Sequence, residues 1–175
     1  MAPMEPFDTL MARHKDRVYT QAFYILGNAA DAQDVSQEVL VKLWKHHASV
    51  DPACLGGWVA SVTRNACMDS LRKRMRRREV PAEAAEESYA ANVPCGRPGP
   101  AAAAEQSDFN EALQEALAGI AEPFRSILVL REVQELSYNE ISEAQEMPLN
   151  TVKVYLHRGR RMLRDALRER MASHA

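Results

Sequence analysis

The sequence predicts an all-α protein, built as two small helical domains on either side of a linker. Three observations carry this. Apolar residues make up 46% of the chain and aromatic ones only 6%, with seven glycines and plentiful Ala, Glu, Arg and Leu, a composition suited to cores packed between helices. Apolar residues recur every three to four positions in several windows, the period of a helix buried on one side. Residues 81–106 carry Pro81, Pro94, Pro98, Pro100, two glycines and an alanine run at 101–104, with few large apolar side chains. That is the composition of a linker, and it leaves units 1–80 and 107–175, each long enough for a small domain.

In the first unit Phe7, Leu10, Met11, Val18, Ala22 and Ile25 lie at helical spacing, and Gly27-Asn28 supplies a stop. Asn28 is suited to cap a second helix with Asp31 in its first turn. That helix runs to about His47, with Val35, Val39, Leu40, Leu43 and Trp44 as its apolar stripe and Asp31, Asp34, Gln37, Glu38, Val41 and Lys45 along the other side. Val50 to Gly57, with Asp51-Pro52 and Gly56-Gly57, breaks the period and predicts a loop. A third helix follows from about Trp58 to Arg78, with Trp58, Val59, Val62 and Ala66 inward and Ser61, Arg64, Asn65, Met68 and Arg72 on a different side.

In the second unit Phe109, Leu113, Ala116, Leu117 and Ile120 are spaced for an amphipathic helix that Ser107 can cap. Pro123 opens another, with Phe124, Ile127, Leu128 and Leu130 on its apolar side and Arg131 and Glu132 at its polar end. Leu136-Ser137-Tyr138-Asn139-Glu140-Ile141 is a sharper signal: Ser at an N-cap with Glu three residues on is a capping box, bracketed by Leu136 and Ile141 as a hydrophobic staple. This short helix ends near Gln145, Glu146-Met147-Pro148 forces a turn, and a last helix starts between Pro148 and Thr151 and continues to about Met171. Two helices joined by a tight turn, the second one basic, form a helix-turn-helix.

The net charge of −2 conceals segregation, because residues 72–78 are basic at every position except Met75 and the stretch Lys153 to Arg170 is rich in Lys and Arg. Basic blocks suit phosphates, although either one alone also fits a solvated helix face. No run approaches the ~18–20 apolar residues that span a bilayer, and no basic segment followed by an apolar run opens the chain, so a cytoplasmic protein without membrane insertion is expected. Cys54, Cys67 and Cys95 form neither an even set nor a CxxC pair, which predicts free thiols. No HExxH, Walker or nucleophile-elbow motif is present, and adjacent His46 and His47 point to different sides of a helix. An enzyme is not expected, nor a metal, a cofactor or a small-molecule substrate.

A recognition helix needs polar and cationic side chains on one exposed face near its N-terminal end, backed by apolar anchors. In the last helix Val152, Leu156 and Leu163 can anchor, leaving Asn150, Thr151, Lys153, Val154, His157, Arg158 and Arg161 for bases and phosphates. The third helix joins an amide, Asn65, and an aromatic, Trp58, to a dense arginine run beside an irregular loop, a mixture that suits unpaired strands. Trp58 suits a core position as well, and Asn65 a polar surface.

Taken together, the two units resemble the extracytoplasmic-function (ECF) group of the sigma-70 family of bacterial RNA polymerase sigma factors. Asp31-Ala-Gln-Asp34-Val-Ser-Gln37-Glu38-Val-Leu-Val-Lys-Leu-Trp44 resembles that family's regions 2.1 to 2.2. Trp58 to Arg74, through Arg64-Asn65 and Asp69-Ser-Leu71-Arg72, resembles regions 2.3 and 2.4. Leu136-Ser-Tyr-Asn-Glu140-Ile141, followed by Thr151-Val152-Lys153 and Arg158 to Leu163, resembles region 4.2. The resemblance implies that Asp31, Asp34, Gln37, Glu38 and Val41 dock on the coiled coil of the largest subunit of core RNA polymerase. It implies a pocket for a flipped base of the minus-ten element, formed by the 50–57 loop with Asn65, with Asp51 and Trp58 also meeting the minus-ten DNA, while Arg64, Arg72 and Arg74 hold phosphates. It further implies that Arg131, Asn150, Thr151, Lys153, Val154, His157, Arg158 and Arg161 meet the minus-thirty-five duplex, and that the second unit touches the flap of the second-largest subunit. An anti-sigma factor is an expected partner. Family members often carry Gly where this chain has Glu146 and Asn150, and Ser, Arg and Ala where it has Val154, Tyr155 and Gly159, which should alter promoter preference. The alternative, a stand-alone helix-turn-helix regulator of duplex operators, explains only the C-terminal half.

Overall fold

The structure is a computed structural model in which residues 6–79 and 100–173 are described. Among the described residues every regular element is helical. Helix α1 (Phe7–Leu26) ends at Gly27, whose φ of 67° a side chain would resist and whose N–H closes on the Phe23 carbonyl at 2.8 Å. Asn28 then caps α2 (Ala29–His46), its Oδ1 accepting from the Asp31 amide at 3.0 Å. A 3₁₀ turn (His47–Ser49) and a short loop lead into α3 (Leu55–Glu79). These three helices pack on one another around Val18, Ala22, Ile25, Val39, Leu43, Val59 and Cys67, all at most 3% exposed. Each large side chain so buried contributes roughly 1.5–3 kcal/mol. Buried among them, the Gln21 amide is satisfied by the Ala60 carbonyl at 2.8 Å.

The second bundle consists of α4 (Pro100–Ala118), α5 (Phe124–Leu128) running into a π-helical turn (Val129–Val133), α6 (Tyr138–Gln145) and α7 (Leu149–Ser173). Helix α7 lies against α5 at Gly159, where an added Cβ would stand only 3.1 Å from Cγ of buried Leu128. A side chain there would require Leu128 to give by a few tenths of an ångström.

Four expectations are corrected. Helix α3 begins at Leu55, so Gly56 and Gly57 belong to its first turn and the loop is shorter than 50–57. Glycine costs about 1 kcal/mol in a helix, and burial of Leu55 and Val59 offsets that here. Trp44 is 59% exposed, because the buried ridge of α2 is the narrower row Val35, Val39, Leu43. Ser107 does not cap α4, which starts seven residues earlier at Pro100, a residue suited to a first helical position. Residues 100–106 of the expected linker are therefore helical, while 81–99 lie outside the described residues. Phe109 is 56% exposed, and the packed face of α4 is carried by Leu113, Ala116 and Leu117, with Ile120 buried just beyond its end.

The two bundles meet along a seam. One apolar cluster joins Val18, Ile25 and Leu43 of the first to Leu117, Ile120, Leu128 and Val129 of the second. In the other, Ala60 of α3 packs with Ile127, Leu130, Ile141, Val152 and Leu156.

Candidate functional site

Three surfaces carry the residues singled out in the sequence. The first is the outer side of α2. Asp34, Gln37 and Glu38 are exposed there and Val41 is 50% exposed. Helical spacing places Gln37, Val41 and Trp44 in one row, so the exposed Trp44 adds an aromatic ring to this acidic face. Sequence periodicity assigned that ring to the core; its place three residues after Val41 was the available signal. Asp31 is only half exposed and is ion-paired to Arg74 of α3, and Glu38 is bonded to Lys42 at 2.6 Å. Between α2 and α3 runs a groove with Asp31, Asp34 and Glu38 on one wall and Lys73, Arg74 and Arg77 on the other.

The second surface is α3. Trp58 is half-buried, its ring 6.1 Å from that of His46, while His47 turns the other way, 5.7 Å from Phe7. Asn65 is exposed and accepts from Arg64 Nη1 at 3.0 Å. Arg64 itself is half-buried, and its Nε is buried without a hydrogen-bond partner. Two helical turns, about 10 Å, separate Trp58 from Asn65, which share one side of α3. Asp51 accepts from the Ala53 amide at 2.8 Å and so shapes the turn before α3. Arg72 is exposed and paired with Asp69 at 2.6 Å, while Arg74 is turned toward Asp31 and the Leu26 carbonyl. Cys67 lies beneath this surface; burial pushes its thiol up, and nearby Glu122 adds to this against the opposing charge of Arg64. Cys54 is exposed, and Cys95 lies outside the described residues.

The third surface is the α6–α7 motif. Ser137 Oγ accepts from the Glu140 amide at 3.3 Å and the Glu140 carboxylate accepts from the Ser137 amide at 2.7 Å, closing the capping box. These bonds hold the Glu140 carboxyl below its usual range, the Ser137 hydroxyl contributing most. Leu136 and Ile141 are both buried, as a staple requires. Glu146 ends α6 with a left-handed φ of 51°, and Ser142 Oγ braces the turn by donating to the Met147 carbonyl at 2.6 Å. Helix α7 is anchored by Val152 and Leu156, at most 1% exposed. Asn150, Lys153, Val154, His157, Arg158 and Arg161 are exposed and Thr151 is half-exposed, so the structure brings the expected reading residues to the outside of one helix. Arg131 is half-buried in the π turn, donates to the Leu136 carbonyl at 2.7 Å and lies 5.1 Å from the centre of the Tyr138 ring. It shares a shallow depression with Ser137, Asn139 and Lys153. A polar scaffold of Arg17, Arg125 and Gln134, which crosses between the bundles, has no local sequence signature.

Among the described residues no three His, Cys, Asp or Glu are grouped to hold a metal ion, and no helix is long and apolar enough to cross a membrane.

Residues 10–77 match the family description Sigma-70 region 2, and residues 110–163 match Sigma-70, region 4. The ECF RNA polymerase sigma factor SigE of Mycolicibacterium smegmatis is 36% identical over 166 residues, which cover 95% of this chain and 63% of that protein. The ECF RNA polymerase sigma factor SigW of Bacillus subtilis is 28% identical over 170 residues, 94% of this chain and 90% of that one. The chain thus spans under two thirds of the first relative and nearly the whole of the second. Among solved structures, the sigma factor RpoE in complex with the anti-sigma factor NepR from Bartonella quintana aligns with a TM-score of 0.70 at 20% identity, over 93% of this chain and 96% of that chain. CnrH in complex with the cytosolic domain of CnrY gives 0.61 at 19% identity, over 93% and 88%. With a region 2 followed by a region 4, a helix-turn-helix in the second bundle and ECF relatives along almost its full length, the chain belongs to the sigma-70 family of sigma factors, in the ECF group.

Proposed function

We propose that this protein binds core RNA polymerase, carries it to promoters and promotes melting there, working as a binding factor and not as an enzyme. The observation that supports this above others is the pairing, in one chain, of an exposed acidic and aromatic face on α2 with an exposed cationic reading helix behind a capping box. The α2 face, Asp34, Gln37, Glu38, Val41 and Trp44, docks on the basic coiled coil of the largest polymerase subunit, with Asp31 at its edge. Residues 1–80 grip core and the minus-ten strand through Asp51, Trp58, Arg64, Asn65, Arg72 and Arg74. Residues 107–175 read the minus-thirty-five duplex through α7 and Arg131 and touch the flap of the second-largest subunit, and the 81–106 linker, whose last residues from Pro100 are the first turns of α4, threads between them. An anti-sigma factor is a further partner, supported by the two solved neighbours, RpoE in complex with the anti-sigma factor NepR and CnrH in complex with the cytosolic domain of CnrY. The setting is the cytoplasm.

Run-off transcription with purified core polymerase on a promoter library is the direct test, and it should yield products from a subset sharing two motifs. The double variant Asp34→Lys, Glu38→Lys should lose core binding in a pull-down, because it presents two cations to a basic partner. Undiminished retention by core would refute the docking assignment. Specific operator binding by the free chain, with no association with core, would instead favour the stand-alone regulator.

A further inference from the structure

The outward face of α7 has an aliphatic side chain at its centre. At about 100° per residue, Val154 stands roughly 200° from Val152 and roughly 160° from Leu156, nearly opposite both buried anchors. Asn150 lies one turn before it and His157 and Arg158 one turn after, with Lys153 alongside, and all four are exposed. Val154 itself is 47% exposed. Its burial therefore contributes little to the fold, and a β-branched residue forms helix less readily than the Ala, Arg or Lys that such a surface position accepts. As the sixth residue of the helix that starts at Leu149, it stands about 8 Å along the axis. That is within the N-terminal stretch through which a helix reaches the floor of the major groove.

A valine at that place has a narrow chemistry. Base edges in the major groove present donors and acceptors, and thymine alone adds an apolar feature, its C5-methyl group. An isopropyl group pressed onto a purine edge or a cytosine amino group displaces water and returns no hydrogen bond, leaving a desolvated polar group unpaired. Against the thymine methyl, the same contact removes apolar surface from water on both sides. One side chain thus favours thymine and penalises its replacements. Asn150, Lys153, His157 and Arg158 around it supply donors for the flanking bases and phosphates.

Resting on the reading of α7 as the promoter helix, we propose that Val154 is a specificity-determining residue that recognises the C5-methyl group of one thymine in the minus-thirty-five element. The element this chain prefers therefore contains a thymine, on either strand, opposite the second turn of α7. The contact is prepared in advance. Val152 and Leu156, at most 1% exposed, fix the rotation of the helix, and a helical valine holds one χ1 rotamer about 90% of the time, so little freedom is lost on contact. Because the group recognised is the methyl and not the whole base, 5-methylcytosine is a partial substitute, carrying the methyl while keeping the amino donor of cytosine.

The test measures binding of the holoenzyme to minus-thirty-five duplexes from the selected promoters, with each thymidine replaced in turn by deoxyuridine. Uracil lacks only the methyl group and pairs as thymine does. One replacement should weaken binding by the wild type about fourfold, the effect of burying one methyl-sized group. Val154→Ser should abolish that difference, and Val154→Ile, which keeps the apolar surface, should retain it. At the same position 5-methylcytosine should bind more tightly than cytosine by a similar factor. Since the side chain is exposed, both variants should fold by circular dichroism and hold core as the wild type does. The assignment of Val154 is overturned if no deoxyuridine weakens binding, if the methyl on cytosine gains nothing, or if the penalty persists in Val154→Ser, with α7 then reading through its polar side chains alone. A holoenzyme with no preference among duplexes would instead sink the reading of α7 as the promoter helix.

Discussion

Arg74 on α3 is ion-paired to the Asp31 carboxylate on α2 while its other terminal nitrogen reaches the Leu26 carbonyl of α1 at 3.3 Å, so one side chain ties all three helices of the first bundle. The tie joins a residue assigned to polymerase with one assigned to promoter phosphates. Because these side chains are 36% and 31% exposed, a double-mutant cycle of Asp31→Ala and Arg74→Ala in denaturant should give a coupling of only about 0.2–1 kcal/mol. Arg74→Ala should lower promoter affinity without lowering core affinity, measured separately. Equal loss of both would show that the pair acts structurally.

On α7, Lys153 and Arg158 are exposed while Val152 and Leu156 hold the helix inward. A residue on phosphate contributes about 0.9 to the slope of log affinity against log salt, whatever the sequence. A residue bonded to a guanine edge instead contributes about 1–3 kcal/mol of discrimination. Fluorescence anisotropy of the holoenzyme on minus-thirty-five duplexes should therefore sort Lys153→Ala from Arg158→Ala by salt slope against base preference. If neither variant changes either quantity, α7 is not the reading helix.

The capping box sets a stability test with a defined pH dependence. Ser137→Ala should cost about 1 kcal/mol, which for a chain of this size lowers Tm by roughly 2–4 °C. Glu140 is held below its ordinary value of 4.5 chiefly by the Ser137 hydroxyl. Its contribution is therefore complete above that value and disappears as pH falls through the lower folded value. Thermal melts at neutral pH should separate wild type from Ser137→Ala more widely than melts well below pH 4.5.

Glu146 holds φ 51° at the corner between α6 and α7. A left-handed conformation costs a residue with a Cβ about 1–2 kcal/mol and costs glycine almost nothing. Glu146→Gly should accordingly stabilise the protein by about 1 kcal/mol, visible as a higher Tm by calorimetry. A lower Tm would show that the glutamate side chain contributes a contact worth more than the strain.

What the sequence made legible follows the range of the interactions involved. Asn28 capping α2, Gly27 ending α1 and the Ser137–Glu140 box all depend on residues within four positions of one another, and each formed as expected. The edges of apolar stripes were harder, because period alone cannot say how wide a buried face is; Trp44 and Phe109 fell outside. Gly56 and Gly57 are poor helix formers overruled by burial of their neighbours Leu55 and Val59, a tertiary effect. Among candidate site residues, the outward row on α7 was legible because buried anchors and exposed positions alternate with the helical period. The coupling of Arg74 to Asp31 and of Arg17 to Gln134 was not, since these partners lie 43 and 117 positions apart.

Gly159 on α7 has a bearing on how such a protein diversifies. Its missing methyl group fixes how deeply the helix seats against Leu128, and hence the tilt at which Lys153, His157 and Arg158 are presented. Adding one carbon there would require either that buried leucine to give by a few tenths of an ångström or α7 to lift, carrying the whole row of side chains with it. For the reading helix proposed above, promoter preference can thus be tuned from an interior site, with every outward side chain of the row unchanged.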